Sequence, residues 1–325
     1  MFASSTQRTN WIFSDEGELK NLKQEVNAAY VQKHGGHMHE DPDRKHFLTI
    51  AEQDMLVQHY EWGLRAFCKS FRPPMPSSVL ATAMVYLKRI YLRHSVMDYH
   101  PRDIITTCAY LACKVDEFNV SLREFVGNLK KDREKVSDQI LWFELTLMQM
   151  LNFHLTVHTA YRPLEGLFIN LKTHSPDMDV ERLRPNALQF LDTVLFTNAY
   201  LLYAPSQIAL AALMDSATRA NINLTYFLTE HLMRGTEQRM IEQTLKVVKG
   251  IGQLVSLTSK PNKDQVKRID TKLDKCRNQE LNPNHELFKR KMRDLDDDDD
   301  QQQLQLYQQN SEEQLKMEQD LMTIH

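Results

Sequence analysis

The run IITTCAYLACKV, residues 104–115, ends on a lysine, and Lys114 is its only charge. Thirty residues on, ILWFELTLMQML (140–151) also holds a single charge, Glu144. Its helical neighbours three and four residues away are Ile140, Leu141, Leu147 and Met148, all apolar. A carboxylate in such surroundings is partly buried and needs a partner. The lysine has a plainer reading, because a cation in a last helical turn favours the negative end of the macrodipole and snorkels to water. A local pair with Glu117 is a second alternative, worth only about 0.2–0.5 kcal/mol. Two helices that each carry one lone charge of opposite sign most simply bring those charges together. Such a pair is a poor source of stability, which favours a positional role at a surface.

Other chemistry is sparse. The nine glycines form neither GxGxxG nor GxxxxGK[ST], so no phosphate-cradling loop is expected. HExxH, GxSxG and a kinase-type HRD are absent as well. His34, His37 and His39 in HGGHMHE lack the cysteine or carboxylate spacing of a closed zinc site and read as a polar loop. His154 and His158 in NFHLTVH are four apart but straddle a helix exit, which disfavours a shared metal. The four cysteines, Cys68, Cys108, Cys113 and Cys276, show no CxxC pair and read as reduced, mostly buried thiols. No cofactor is expected, and no catalytic residue.

The elements that place Lys114 and Glu144 are helices throughout, because no long run alternates with period two. A helix begins at Ser14 with a hydroxyl cap, acidic residues in the first turn and Phe13 as an outside staple. Leu19, Leu22, Val26 and Tyr30 form its apolar stripe. Further helices are predicted at 51–71, 76–93, 101–117, 121–130 and 133–152. Pro76, Pro101, Pro163, Pro185 and Pro205 each suit a first helical turn, where a missing N–H costs nothing. The uncharged stretch 193–214 is long enough to span a bilayer, but Asn198 and the turn-like APSQ at 204–207 favour two helices meeting at a corner. The net charge of −3 gives no field that draws the chain towards nucleic acid or anionic membrane.

A repeat emerges at an offset of 104. Tyr99-His-Pro101-x-x-Ile104 matches Tyr203-Ala-Pro205-x-x-Ile208, and Leu87, Ile90, Tyr91 and Leu92 fall on Leu191, Val194, Leu195 and Phe196. Two adjacent helices in one register indicate two copies of one helical domain, divided near 158. Lys114 maps onto Thr218, so the lysine belongs to the first copy alone.

At these residues the chain resembles a cyclin. LACKVDEF (111–118) is similar to the end of the third helix of the first cyclin box, and the family's Lys–Glu pair falls on Lys114 and Glu144. VMDYHPR (96–102), FVGNL (125–129), LNFHLTVHTAYRPLEG (151–166), AYLLYAPSQIAL (199–210) and the N-terminal WIFSDEGEL resemble the H-type branch of that family. The resemblance implies an all-α fold of two tandem five-helix cyclin boxes, 51–157 and 158–257. An N-terminal segment (1–50, docking helix 14–33) and a C-terminal helix (258–282) would flank them. It implies a non-catalytic regulatory subunit of the CDK-activating kinase, joined by a RING-finger assembly factor, recruited into the TFIIH core and acting in the nucleus. Kinase contacts would be Lys114 and Glu144, surrounded by Leu111, Glu117, Phe118, Leu147 and Phe153. Substrates would be those of the kinase: activation segments of cell-cycle kinases and the C-terminal domain of RNA polymerase II.

Two other readings stand beside it. One is a cyclin C-like subunit of the Mediator kinase, against which FVGNL and PSQIAL argue. The other is a TFIIB-like promoter-binding factor built from cyclin folds, which would need a basic DNA-facing groove. Cell-cycle cyclins carry a Met-Arg-x-x-Leu-type substrate patch at the start of the first box helix. Here that place reads DMLVQHY, without the arginine, so substrate docking by that route is not expected. The last segment, 283–325, is polar, acidic and glutamine-rich, and is expected to be disordered. Within it Lys289, Arg290, Lys291 and Arg293 form either a nuclear localisation signal or a balance for the aspartates.

Overall fold

The computed structural model describes residues 2–35, 47–129 and 132–294, and the ordered elements among them are helices without a strand. In chain order they are α1 (Thr6–Asn10), α2 (Glu16–Gly35), α3 (Ile50–Ser70), α4 (Ser77–Arg93), α5 (Pro101–Val115), α6 (Leu122–Gly127) and α7 (Arg133–Met150). There follow α8 (Tyr161–His174), α9 (Arg184–Val194), α10 (Ala199–Leu202), α11 (Pro205–Arg219), a π-helical turn at Phe227–Leu232, α12 (Gln238–Ser256) and α13 (Lys263–Cys276). Among the described residues, those up to 276 make one compact unit and those from 277 on a second.

Local chemistry explains where these helices start. Pro101 and Pro205 open α5 and α11, Pro185 lies in the first turn of α9, and Pro76 stands one residue before α4. Thr49 with Glu52, and Ser121 with Glu124, close capping boxes on α3 and α6. The cap of α2 differs from expectation. Asp15 Oδ1 accepts from the Glu18 N–H at 2.9 Å, while Ser14 donates to the Glu18 carboxylate. Asp15 is thus the cap, because a residue three before an N–H is the one whose side chain reaches it.

The internal repeat is visible in space. In the first copy α5 packs against α3, α4 and α7; in the second α11 packs against α8, α9 and α12. Both central helices end the same way. Glu117 and Asn221, 104 apart, are left-handed at φ 57° and 55°. Phe118 N–H donates to Cys113 O at 2.9 Å and Ile222 N–H to Ala217 O at 2.8 Å, the Schellman closure. The stretch 193–214 is broken at α10 and Pro205, and no helix among the described residues is long and apolar enough to cross a membrane.

Helix α3 belongs to both copies. Glu61 and Lys88 of α4 form a buried pair at 2.5 Å, and burial pushes the Glu61 carboxyl up. One residue on, Trp62 stacks on Phe196 of the second copy with ring centroids 4.0 Å apart. Arg65, at 3.3 Å, and Lys69 both pair with Asp192 of α9. The terminal helices close the other sides. α2 packs on α3 and α4. α13 lies on α3 through buried Val266, Ile269 and Leu273, with Lys272 bonded to Glu52 at 2.8 Å and Asp270 to His100 at 2.8 Å.

The expected disorder after 283 requires a correction for part of that segment. Residues 286–294 are helical and Phe288 is buried at 7% exposure, an apolar anchor that the polar composition conceals. The aspartate- and glutamine-rich remainder, 295–325, lies outside the described residues.

Candidate functional site

The end of α5 and the middle of α7 meet where the two lone charges stand. Lys114 Nζ lies 2.6 Å from Glu144 Oε1. The lysine side chain is 47% exposed and the glutamate 16%, so the pair sits at a rim with its cation towards solvent. The Lys114 ammonium also lies 4.8 Å from the centroid of the Tyr110 ring, a cation–π contact one turn back. Glu117, the local alternative, is exposed and takes no part in the pair.

What fixes α5 at this end is its closure. Asp116 caps the helix, and its carboxylate accepts from Thr82 Oγ1 of α4 at 3.1 Å. Burial raises the Asp116 pKa, while the hydroxyl bonds oppose that rise. Helix α7 ends in a similar reversal. Asn152 and Phe153 are consecutive left-handed residues, φ 51° and 57°, and Phe153 N–H donates to Met148 O at 2.8 Å. The Phe153 side chain is left 60% exposed.

Of the surrounding residues expected at a contact surface, Glu117 and Phe153 are exposed and Phe118 is half-buried against Phe71. Leu111 and Leu147 are not on the surface. They are 2% and 0% exposed, on the sides of α5 and α7 that face the core beneath the ion pair. Three further apolar residues of α7, not expected as contacts, also reach the surface. Met148, one turn after Glu144, is half-buried, and Leu141 and Leu145 are 57% and 54% exposed on the outer side of α7. Little in ILWFELTLMQML separates these faces, because apolar residues occur all round the helix and Glu144 is its only charge.

The histidines do other work. His154 Nδ1 accepts from Trp11 Nε1–H at 3.2 Å, and His34 stacks on Tyr30. His37 and His39 lie outside the described residues. Among the described residues no group of three or more His, Cys, Asp or Glu side chains is placed to hold a metal ion. All four cysteines are free and buried. Lys289, Arg290, Lys291 and Arg293 are exposed on the helical stretch 286–294, with Lys289 paired to Glu286 at 2.7 Å.

Comparison with known proteins fits this geometry. The profile for the cyclin N-terminal domain matches residues 33–156, and that for the cyclin C-terminal domain residues 159–256. Cyclin-H of Xenopus laevis is 41% identical over 287 residues, covering 86% of this chain and 88% of that protein. The chain belongs to the cyclin H family. A cyclin-like subunit of the RNA polymerase II holoenzyme from Pyricularia oryzae is more distant, 29% identical over 66% of this chain and 54% of its own length. Among solved structures, a chain of the CAK complex of Chaetomium thermophilum bound to ATP-gamma-S superposes with a TM-score of 0.72. It is 26% identical, and the match covers 85% of this cyclin and 88% of that chain.

Proposed function

We propose that this cyclin is the regulatory subunit of a CDK-activating kinase and that Lys114 and Glu144 face the kinase. A protein kinase transfers phosphate only when its strand lysine is paired with a glutamate on the mobile C-helix. A rigid surface that binds the inward C-helix more tightly than the outward one moves that equilibrium by differential affinity alone. The chain itself then performs no chemistry. Lys114 and Glu144 hydrogen-bond kinase backbone, with Glu117, Phe118, Met148 and Phe153 around them and Leu111 and Leu147 supporting them from the core. A RING-finger assembly factor and the TFIIH core are the further partners, the nucleus is the location, and Lys289, Arg290, Lys291 and Arg293 are the import signal.

The observation that carries this reading is the 2.6 Å pair at a half-exposed rim, where it adds little stability and leaves hydrogen-bonding capacity towards solvent. The test is to mix the purified full chain with the purified catalytic subunit and follow phosphorylation of a C-terminal-domain peptide. Activity is expected to rise with added cyclin to a saturating level. Kinase activity that is the same with and without the chain would reject the reading.

A further inference from the structure

Two left-handed residues in succession, neither of them glycine, are strained, Phe153 more than Asn152, whose short polar side chain tolerates this region. The Asn152–Phe153 turn pays that strain on the segment joining the two copies, and the contacts that hold this segment come from the far end of the chain. Trp11, fully buried, donates its Nε1–H to His154 Nδ1 at 3.2 Å. Arg89 Nη1, on α4, donates to His154 O at 3.0 Å. The Trp11 ring lies over the Arg89 guanidinium, 4.9 Å from its carbon. Four residues further along, Gln7 grips the His158 backbone at two points: its Oε1 accepts from the N–H at 2.6 Å, and its Nε2 donates to the carbonyl at 3.3 Å. Phe2 sets its ring edge-on to the His158 imidazole.

We propose that the N-terminal arm, residues 2–11, is a positioning element that locks His154 and thereby holds Phe153 outward for its partner. With Nδ1 accepting from Trp11, the His154 ring carries its proton on Nε2. Both the side chain and the carbonyl of the residue after Phe153 are thus fixed from outside the turn. An arm that merely covered apolar surface would not need directional bonds to this one segment. That Phe153 meets a kinase rests on the function proposed above; that the arm sets the turn does not.

Trp11→Phe tests this, because it keeps a ring over Arg89 and removes the donor to His154. In the full chain alone, amide hydrogen exchange at residues 152–155 should quicken by about three- to tenfold, the loss of one hydrogen bond, with the rest of α7 unchanged. For the purified catalytic subunit, Phe153→Ala should weaken affinity by about tenfold and Trp11→Phe by about threefold. In the Phe153→Ala background Trp11→Phe should add nothing, whereas with Lys114→Ala the two losses should multiply. His154→Leu, which removes the acceptor from the other side, should behave as Trp11→Phe does. Unchanged exchange at 152–155, or a Trp11→Phe loss that persists in full without the Phe153 ring, would overturn the proposal. Wild-type affinity in Phe153→Ala would instead remove Phe153 from the kinase contact and overturn the link to binding, and the exchange result would still decide whether the arm holds the turn.

Discussion

Removing either charge of the Lys114–Glu144 pair leaves the other without its closest partner and strips a hydrogen bond from whatever docks there. Charge-assisted hydrogen bonds are worth about 1.5–3 kcal/mol, so Lys114→Ala should weaken kinase binding roughly ten- to hundredfold. Glu144→Ala should do similar harm, and the double mutant should lose much less than the sum. Thr218→Lys, at the equivalent place in the second copy, should restore nothing. A double-mutant cycle on affinity, with circular dichroism confirming the fold, checks all three; full additivity would return Lys114 to an ordinary helix end. Three residues on, Glu117 occupies a left-handed position that glycine fills without a Cβ penalty. Glu117→Gly is expected to raise stability by about 0.5–1 kcal/mol while lowering kinase affinity. Thermal melts and binding titrations moving in opposite directions would mark the glutamate as kept for contact, since strain retained at an exposed site points to function.

At the scale of elements, the helices were legible wherever their ends carry distinctive chemistry. Pro101 and Pro205 open α5 and α11 where local spacing places them. Faces were harder to read. In 104–115 and 140–151 nearly every side chain is apolar, so periodicity could not tell Leu111 and Leu147, in the core, from Leu141 and Leu145, outside. The segment after 283 misled in the opposite sense, because an acidic run dominates its average and hides the short helix around Phe288. Deleting 295–325 should therefore leave the melting temperature unchanged, whereas deleting 285–325 should lower it by about 2–4 °C. Alanine at Lys289, Arg290, Lys291 and Arg293 together should abolish nuclear import without moving the melting temperature, because all four are exposed. Import that survives would assign the cluster to charge balance.

For the whole molecule, the offset-104 repeat gave away the two copies but not what joins them. The joint is α3, which turns Glu61 to its own copy and Trp62, Arg65 and Lys69 to the other. No local pattern announces a stack between residues 62 and 196, since neither ring has a sequence neighbour that requires it. Trp62→Ala should cost about 2–3 kcal/mol, the loss of a half-buried ring and its stacking, and should broaden a single thermal transition towards two. Asp192→Asn, by contrast, removes only partly exposed ion pairs and should change stability by less than about 1 kcal/mol. A Trp62→Ala protein that melts as sharply as wild type would show that the two copies cohere without the stack.

The clasp between Gln7 and His158 spans 151 residues of chain, and this has a consequence for biosynthesis. At about 5–20 residues per second, roughly seven to thirty seconds pass between the emergence of the arm from the ribosome and that of its binding segment. Throughout that interval the Trp11 Nε1–H and the Gln7 amide lack the partners that His154 and His158 supply. Residues 2–11 are therefore among the last of the described residues to find their place.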